Sequence, residues 1–233
     1  MKFIAIDFET ANSSRTSACS IGITFVENKK VVETKHFYIK PTPNYYNFIN
    51  VGIHGITKKD TDDKKEFDEL WQELKPYFEN NKVVAHNASF DLSVLRAVLE
   101  HYDIEFHKLE YYCTMLFSKN TLKGLMNYQL STISEYFNIN LLHHNAESDA
   151  NACAEIFLKL IEKDNIDSFE KLCLKHNFMK GELLENFQKE FHEKFGDKIL
   201  EIADFISQID VLSCFAQISK ERGYSKPVLI TEN

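Results

Sequence analysis

The segment near the start of the chain that most constrains its fold is a mostly apolar run, residues 2–6, which leads directly into Asp7-Phe8-Glu9. We predict a buried β-strand over about residues 2–9. Strand side chains alternate between two faces, so Asp7 and Glu9 point to the same face. Their charges repel, and a cation between them relieves the repulsion; such oxygen ligands suit Mg²⁺ or Mn²⁺. Two residues can match by chance, so a metal site requires further ligands elsewhere in the chain.

The apolar periodicity of the first 163 residues predicts an α/β layer fold. Two further strands follow the first and form an antiparallel meander, and later strands alternate with helices, which favours a mixed sheet flanked by helices. The segment 53–57 has a loop-like composition. The predicted strands are about 2–9, 20–26, 31–39, 82–86 and 111–114, and the predicted helices are about 66–78, 90–102, 130–137 and 148–162.

The pattern changes after about residue 164, where no further strand is predicted. Apolar residues from Leu184 to Ile209 recur every three or four positions, which is typical of an amphipathic helical hairpin or partial bundle. We therefore predict two parts, an α/β domain over 1–165 and a helical C-terminal extension over 175–233.

Composition limits the functional classes. The net charge of −8 argues against a protein that coats duplex nucleic acid, but not against a small site where bound metal ions supply positive charge. The five cysteines form no CxxC pair, so neither a zinc site nor a disulfide framework is indicated, and a reducing cytoplasm fits. We expect no signal peptide and no apolar stretch of the roughly 20 residues that span a bilayer.

Three residues complete the opening acidic pair. Asp91 lies where a predicted strand becomes a helix, and Asp149 lies at the start of a later helix. In α/β folds such positions gather around ligands. Four carboxylates can hold two divalent ions, which suit phosphodiester hydrolysis. His144 lies in the loop five residues before Asp149, where a His of near-neutral pKa can take a proton from the attacking water.

The motif order Asp-x-Glu, Asn-x-x-Phe-Asp and His-x-x-x-x-Asp resembles the DnaQ-like 3′–5′ exonucleases of the DEDDh type. The resemblance covers about residues 1–163, with further support from residues 53–57 and from Tyr128-Gln129-Leu130. It implies an RNase H-like fold. The site residues that it implies are metal ligands at Asp7, Glu9, Asp91 and Asp149, a general base at His144, and a terminal-nucleotide pocket at Thr10, Ala11, His54 and Phe90.

The resemblance leads us to expect a metal-dependent exonuclease that uses two Mg²⁺ or Mn²⁺ ions and releases nucleoside 5′-monophosphates from single-stranded 3′ ends. DNA in replication or repair is the favoured substrate. Two alternatives remain: an exonuclease of the same fold acting on RNA or oligonucleotides, and a catalytically silent module that binds nucleic acid or protein.

Each motif also has an ordinary interpretation when taken alone. Asp91 and Asp149 are typical acidic residues of a helix N-terminus, where the helix dipole stabilises them. His143 and His144 are typical of exposed loops. The joint occurrence of four acids and one His in family order favours the metal site. Three aromatic residues are open to either base stacking or loop packing: Tyr45, Tyr46 and Phe48.

Residues about 190–230 resemble the helical core segment of the mismatch-repair ATPase MutS. The chain has no Walker A sequence, so it is not itself a MutS-type ATPase. The segment either belongs to a longer protein, serves as a docking arm, or forms an ordinary hairpin on the nuclease. An exposed apolar stripe there would favour self-association or a partner helix.

Overall fold

A computed structural model of the chain describes residues 1–106, 108–176 and 180–183. Six strands form one mixed sheet in the order β3-β2-β1-β4-β5-β6. The pairs β1–β4 and β4–β5 are parallel, and the other three pairs are antiparallel. The strands are β1 (Lys2–Thr10), β2 (Ala18–Glu27), β3 (Lys30–Tyr38), β4 (Lys82–Ala85), β5 (Leu109–Cys113) and β6 (Gly181–Leu183).

Helices connect and cover these strands. Within the described residues they are α1 (Phe48–His54), α2 (Lys58–Thr61), α3 (Phe67–Phe78), α4 (Ser89–His101), α5 (Thr114–Thr121), α6 (Leu130–Phe137), α7 (Ala146–Lys163) and α8 (Phe169–His176). The helix α7 packs across β1 and β2 and is the longest of them.

Two neighbouring residues of β3 show that α7 and α3 cover opposite faces of the sheet. The Thr34 hydroxyl reaches Asn151 of α7, whereas Lys35 contacts Tyr77 of α3. Because adjacent strand residues point to opposite faces, one helix lies on each side. The strands β1 and β2 are buried along most of their length, as expected for the part of a sheet that is covered on both faces.

The structure confirms the predicted fold class, a mixed sheet flanked by helices. The predicted helix at 130–137 matches α6, and the other predicted elements agree to within a few residues. The helices α1, α2, α5 and α8 were not predicted. The prediction of a loop at 53–57 is wrong at its start, because Ile53 and His54 end α1 and the left-handed Gly55 terminates that helix.

The prediction that no strand follows residue 164 is also wrong. The strand β6 pairs antiparallel with β5 through three register positions. Its Leu183 is fully buried in the main core. Two residues of α8 belong to the same core: Leu172 is fully buried, and Phe169 is 8 % exposed. Three residues are too few to carry a period-two signal, which explains why β6 escapes detection.

The division into 1–165 and 175–233 remains a prediction. Most of the predicted helical extension lies outside the described residues, and so does all of the segment for which we predicted a resemblance to MutS. Among the helices of the described part of the chain, none is long and apolar enough to cross a membrane.

Candidate metal centre

Asp7 and Glu9 lie near the C-terminal end of β1 and face α7. Asp7 is directly opposite Gly22 of β2, and residues paired in this way share a face. A Cβ placed on Gly22 would lie 1.9 Å from the Ala146 carbonyl oxygen, so the first residue of α7 rests on this glycine. The close approach brings the N-terminus of α7 over the end of β1.

Asp91 reaches the same place from α4. Strands β1 and β4 run parallel, so the helix that follows β4 begins beside the end of β1. Asp91 is 2 % exposed, and its Oδ1 accepts a hydrogen bond of 2.9 Å from the backbone N–H of Phe8, the residue between the two acids. This bond attaches the third carboxylate directly to the Asp7-Phe8-Glu9 segment.

Asp149 is held by the loop that precedes α7. The Asn145 side chain caps the helix by accepting from the backbone N–H of Ser148. The Asp149 Oδ2 accepts from the backbone N–H of His144 at 2.9 Å, and His144 takes a left-handed conformation with φ of 65°. The loop that contains the predicted base His144 is therefore hydrogen-bonded to Asp149, the carboxylate that follows it.

The described carboxylates form a compact oxygen-lined cluster. One oxygen each from Asp7, Glu9 and Asp149 lie within 4.8 Å of one another. The other oxygen of Asp149, Oδ1, is buried and has no hydrogen-bond partner among the described residues. An orphaned carboxylate oxygen inside an acidic cluster fits a hard divalent cation.

The charge crowding appears in the pKa values of the cluster. Burial raises the pKa of Asp7 well above its usual range, and the charges of Asp91, Asp149 and Glu9 raise it further. Burial, with Asp149 and Asp91, raises the pKa of Glu9 to about 8. Burial also raises the pKa of Asp91 to about 7, although the Phe8 N–H opposes the shift.

Burial raises the pKa of Asp149 as well, with His143 opposing the shift. Without a cation, the cluster therefore holds its protons near neutral pH. Such perturbation in a cleft of acidic groups is typical of functional sites.

Two stacked histidines flank the cluster. The rings of His143 and His144 lie 3.9 Å apart between centroids, and a ring nitrogen of each lies within 4.8 Å of an Asp149 oxygen. Partial burial, followed by the nearby His143, lowers the pKa of His144, whereas Asp149 opposes the shift. His144 is therefore neutral at physiological pH, the state in which an imidazole can accept a proton.

The residues predicted for the nucleotide pocket surround the end of β1. Thr10 and Ala11 are buried, and the Thr10 carbonyl accepts from Asn50 Nδ2 at 2.8 Å. The His54 Nε2 lies 3.2 Å from the same oxygen, and burial lowers the pKa of His54, although the contact with Thr10 opposes the shift. Phe90 immediately precedes Asp91 and is half-buried.

The structure thus brings together the five residues predicted as ligands and base. It places the four residues predicted for the nucleotide pocket next to this cluster. Tyr46 packs on Ala11 and Cys19, which supports the loop-packing interpretation for that residue. Tyr45 and Phe48 are exposed at 54 % and 83 %, so stacking on bases stays a prediction for them.

Sequence reasoning did not single out two residues at this site. His143 was considered only as a loop residue, yet its Nδ1 lies 3.4 Å from Asp149 Oδ2. Arg15 was not considered, yet its guanidinium carbon lies 4.5 Å from the ring centroid of Phe90. The neighbouring pair His143-His144 could have indicated a role for His143. Nothing in the local sequence indicates the position of Arg15.

Comparison with known proteins gives a consistent picture. The RNase_T family model, described as an exonuclease, matches residues 4–157. A DNA polymerase III PolC-type of Caldanaerobacter subterraneus subsp. tengcongensis is 32 % identical over 167 residues, which are 70 % of this chain and 12 % of that protein. A 3′–5′ exonuclease DinG of Bacillus subtilis is 28 % identical over 168 residues, 70 % of this chain and 18 % of its own length. The chain therefore spans less than a fifth of these relatives.

Solved structures share the fold. Exonuclease X in complex with 5′ overhanging duplex DNA superposes with a TM-score of 0.58 at 22 % identity, covering 71 % of this chain and 94 % of that one. The nuclease domain of 3′hExo, a DEDDh family member bound to rAMP, gives a TM-score of 0.61 at 11 % identity, covering 69 % and 92 %. At these identities the likeness establishes the architecture alone.

Proposed function

Because the chain belongs to the exonuclease family matched over residues 4–157, we propose that it is a metal-dependent 3′–5′ exonuclease that releases nucleoside 5′-monophosphates. The observation that carries the proposal is the meeting of Asp7, Glu9, Asp91 and Asp149 at one edge of the sheet, beside His144. Three separate chain segments supply these residues, so their convergence is a property of the fold rather than of local composition.

The family depends on divalent metal ions, and the donor set fits them. Asp7, Glu9, Asp91 and Asp149 would hold two ions, Mg²⁺ or Mn²⁺, through carboxylate oxygens. Held by these carboxylates, such ions would supply an activated water and would neutralise the charge that develops on the phosphate.

In the proposed reaction, His144 takes the proton from the attacking water. The hydrogen bond from its own backbone N–H to Asp149 fixes the ring beside the cluster, and its lowered pKa keeps it unprotonated. Thr10, Ala11, His54 and Phe90 would receive the terminal nucleotide. The His54 ring and the Asn50 amide both meet the Thr10 carbonyl, and this fixes the pocket wall next to Glu9.

The names of the relatives support the direction of attack and the kind of strand in this proposal. The DinG proteins are described as 3′–5′ exonucleases, and PolC-type proteins as DNA polymerases. We therefore favour single-stranded or frayed DNA 3′ ends, in replication or repair. The four described cysteines are free thiols, which supports a reducing, cytoplasmic location.

Degradation of 5′-labelled oligonucleotides tests the proposal. Matched DNA and RNA 15-mers are incubated with wild-type protein in Mg²⁺ or Mn²⁺, with Asp7→Ala as the inactive control. We expect a ladder that shortens from the 3′ end, chelator-sensitive and absent with Asp7→Ala. Immediate release of the labelled nucleotide would contradict the direction.

The same experiment separates the alternatives. Faster loss of the RNA 15-mer would favour RNA as the substrate. Intact oligonucleotides under every condition, together with measurable binding, would instead identify a silent nucleic-acid module. A role of the C-terminal region in self-association or partner binding is a further proposal, which sedimentation of the full chain would test.

A further inference from the structure

A short loop between β1 and β2 carries an arginine to the rim of the metal centre. The loop is closed by a 2.8 Å hydrogen bond from Ala11 N to the Ser17 carbonyl. The buried Asn12 side chain accepts from Ser14 N at 2.9 Å and donates to the Tyr45 carbonyl at 2.9 Å. These bonds hold the backbone on both sides of Arg15, so the position of that residue is set by the loop.

The Arg15 side chain extends over the face of Phe90, with 4.5 Å between the guanidinium carbon and the ring centroid. Stacking on an aromatic face holds a guanidinium flat and leaves its edge donors available. Burial raises the pKa of the neighbouring Asp91, and the charge of Arg15 is among the causes that oppose this rise. Within the described residues, however, Arg15 makes no ion pair and no hydrogen bond, and it is exposed.

An exposed guanidinium with unused donors beside an acidic metal site is free to bind an anion that arrives from solution. The scissile phosphate would lie among the carboxylates and their ions, which neutralise it. Arg15 is exposed and stacks on Phe90, one of the residues proposed to receive the terminal nucleotide. Its donors are therefore accessible from solution beside the proposed nucleotide pocket. Its planar fork matches the oxygens of a phosphodiester.

We propose that Arg15 is a substrate-positioning residue that binds a backbone phosphate of the nucleic-acid strand, on the 5′ side of the scissile bond. The inference rests on the proposed exonuclease function. It gives a chain with a net charge of −8 one specific cationic contact beside the acidic cluster.

Salt dependence gives the first test, with Arg15→Gln, Arg15→Lys and the remote surface control Lys159→Gln. For Arg15→Gln we expect the KM for a single-stranded DNA 15-mer to rise roughly threefold to tenfold, with a smaller change in kcat. The slope of log(kcat/KM) against log salt should fall by about 0.7, one phosphate contact on a single strand. Arg15→Lys should recover most of the slope, because the charge returns.

Neutral methylphosphonate linkages identify the contacted phosphate. One linkage is placed at each of the three positions 5′ of the scissile bond in turn. At the contacted position the neutral linkage should lower the kcat/KM of the wild type by as much as Arg15→Gln lowers it on natural DNA. The same linkage should cause no further fall in the kcat/KM of Arg15→Gln. The proposal would be overturned if, at all three positions, the losses in kcat/KM from the neutral linkage and from Arg15→Gln were additive. It would also be overturned if Arg15→Gln had the same salt slope as Lys159→Gln.

Binding measured without turnover keeps this inference distinct from the proposed function. Fluorescence anisotropy of the labelled 15-mer in Ca²⁺, with intact substrate verified on a gel, reports affinity whether or not the protein hydrolyses DNA. A wild type that binds but never cleaves would end the exonuclease proposal and still decide the role of Arg15. Equal affinities and salt slopes for wild type and Arg15→Gln would end the Arg15 proposal alone.

Discussion

At the scale of single residues, the metal centre is a place where the fold tolerates repulsion. Asp7 and Glu9 lie close to Asp149. Burial and the neighbouring carboxylates raise the pKa of Asp7 and of Glu9, and burial raises the pKa of Asp149. The metal-free protein therefore retains protons there that ordinary carboxyl groups would have lost. Function requires the opposite, fully ionised state.

Asp7→Asn separates these two demands. The change removes one crowded charge while preserving shape, so the metal-free protein should unfold at a higher temperature than wild type at pH 8. Nuclease activity should fall by at least about 100-fold, because a ligand is lost. Thermal melts in EDTA and the oligonucleotide ladder measure the two effects; a less stable variant would contradict the role of repulsion.

The two histidines should differ in their importance. His144→Ala should lose roughly 100-fold to 10,000-fold in kcat, the range of a general base, while Mn²⁺ binding by calorimetry survives. Activity should rise with pH along a limb below pH 6.5, because the base works deprotonated and its pKa is lowered.

His143→Ala is the matched variant and should retain more activity, since that side chain only flanks Asp149. Collapse of metal affinity in His144→Ala would identify His144 as a ligand instead.

Sequence spacing predicted the five central residues because each occupies the end of a strand or the start of a helix. Such positions follow from periodicity along the chain. Arg15 and the contact of His143 with Asp149 depend on how loops fold back, and single-sequence periodicity carries no information on that. The roles assigned to the central residues await the experiments above.

At the scale of elements, the loop that carries the proposed base His144 is positioned by β2, a strand that supplies none of the proposed ligands. The first residue of α7 rests on Gly22 of β2, and α7 carries Asp149. The register of α7 against the sheet therefore decides the distance between Asp149 and the Asp7-Phe8-Glu9 segment.

Gly22→Ala tests this dependence. Its Cβ would meet backbone atoms of Ala146 at 1.9 Å, so α7 must move. We expect a loss of about 1–3 kcal/mol in unfolding free energy and a fall of about 100-fold in kcat. Urea unfolding and steady-state kinetics measure the two.

Gly52→Ala serves as the control, since its Cβ would meet nothing within 4 Å and Ala favours the helix α1. Full activity in both variants would show that the contact at Gly22 does not position the site.

The helix α8 lies beyond the predicted domain end at 165, yet it contributes to the core. Leu172→Ala should cost about 2–5 kcal/mol, because Leu172 is fully buried. Leu174→Ala, two residues along and 84 % exposed, should cost almost nothing. Denaturant unfolding of both would locate the functional boundary; equal stabilities would support the shorter domain.

At the scale of the whole molecule, the cluster couples folding to pH and to metal. A raised carboxyl pKa contributes stability at low pH that is lost as pH rises through the folded value. For Glu9 the window runs from about 4.5 to about 8, and the folded pKa of Asp91, about 7, lies within it. The metal-free protein should therefore weaken across this window.

Melting curves of wild type and Glu9→Gln in EDTA isolate the effect from other titrations. The wild type should lose Tm relative to Glu9→Gln between pH 5 and pH 8, and Mn²⁺ should raise the wild-type Tm more at pH 8 than at pH 5.5. A difference in Tm that is constant with pH would contradict the assignment of Glu9 to the crowded cluster.

The hydrogen bond from Phe8 N–H to Asp91 Oδ1 has a consequence for isosteric substitution. In Asp91→Asn only the amide oxygen can accept that bond, so the NH₂ group must occupy the other end. The backbone thereby selects the rotamer of the substituted side chain. The two amide hydrogens then point toward the space where a cation would need oxygen lone pairs. The gentlest replacement in shape would thus reverse the polarity of one wall of the metal centre, with the fold itself enforcing the inversion.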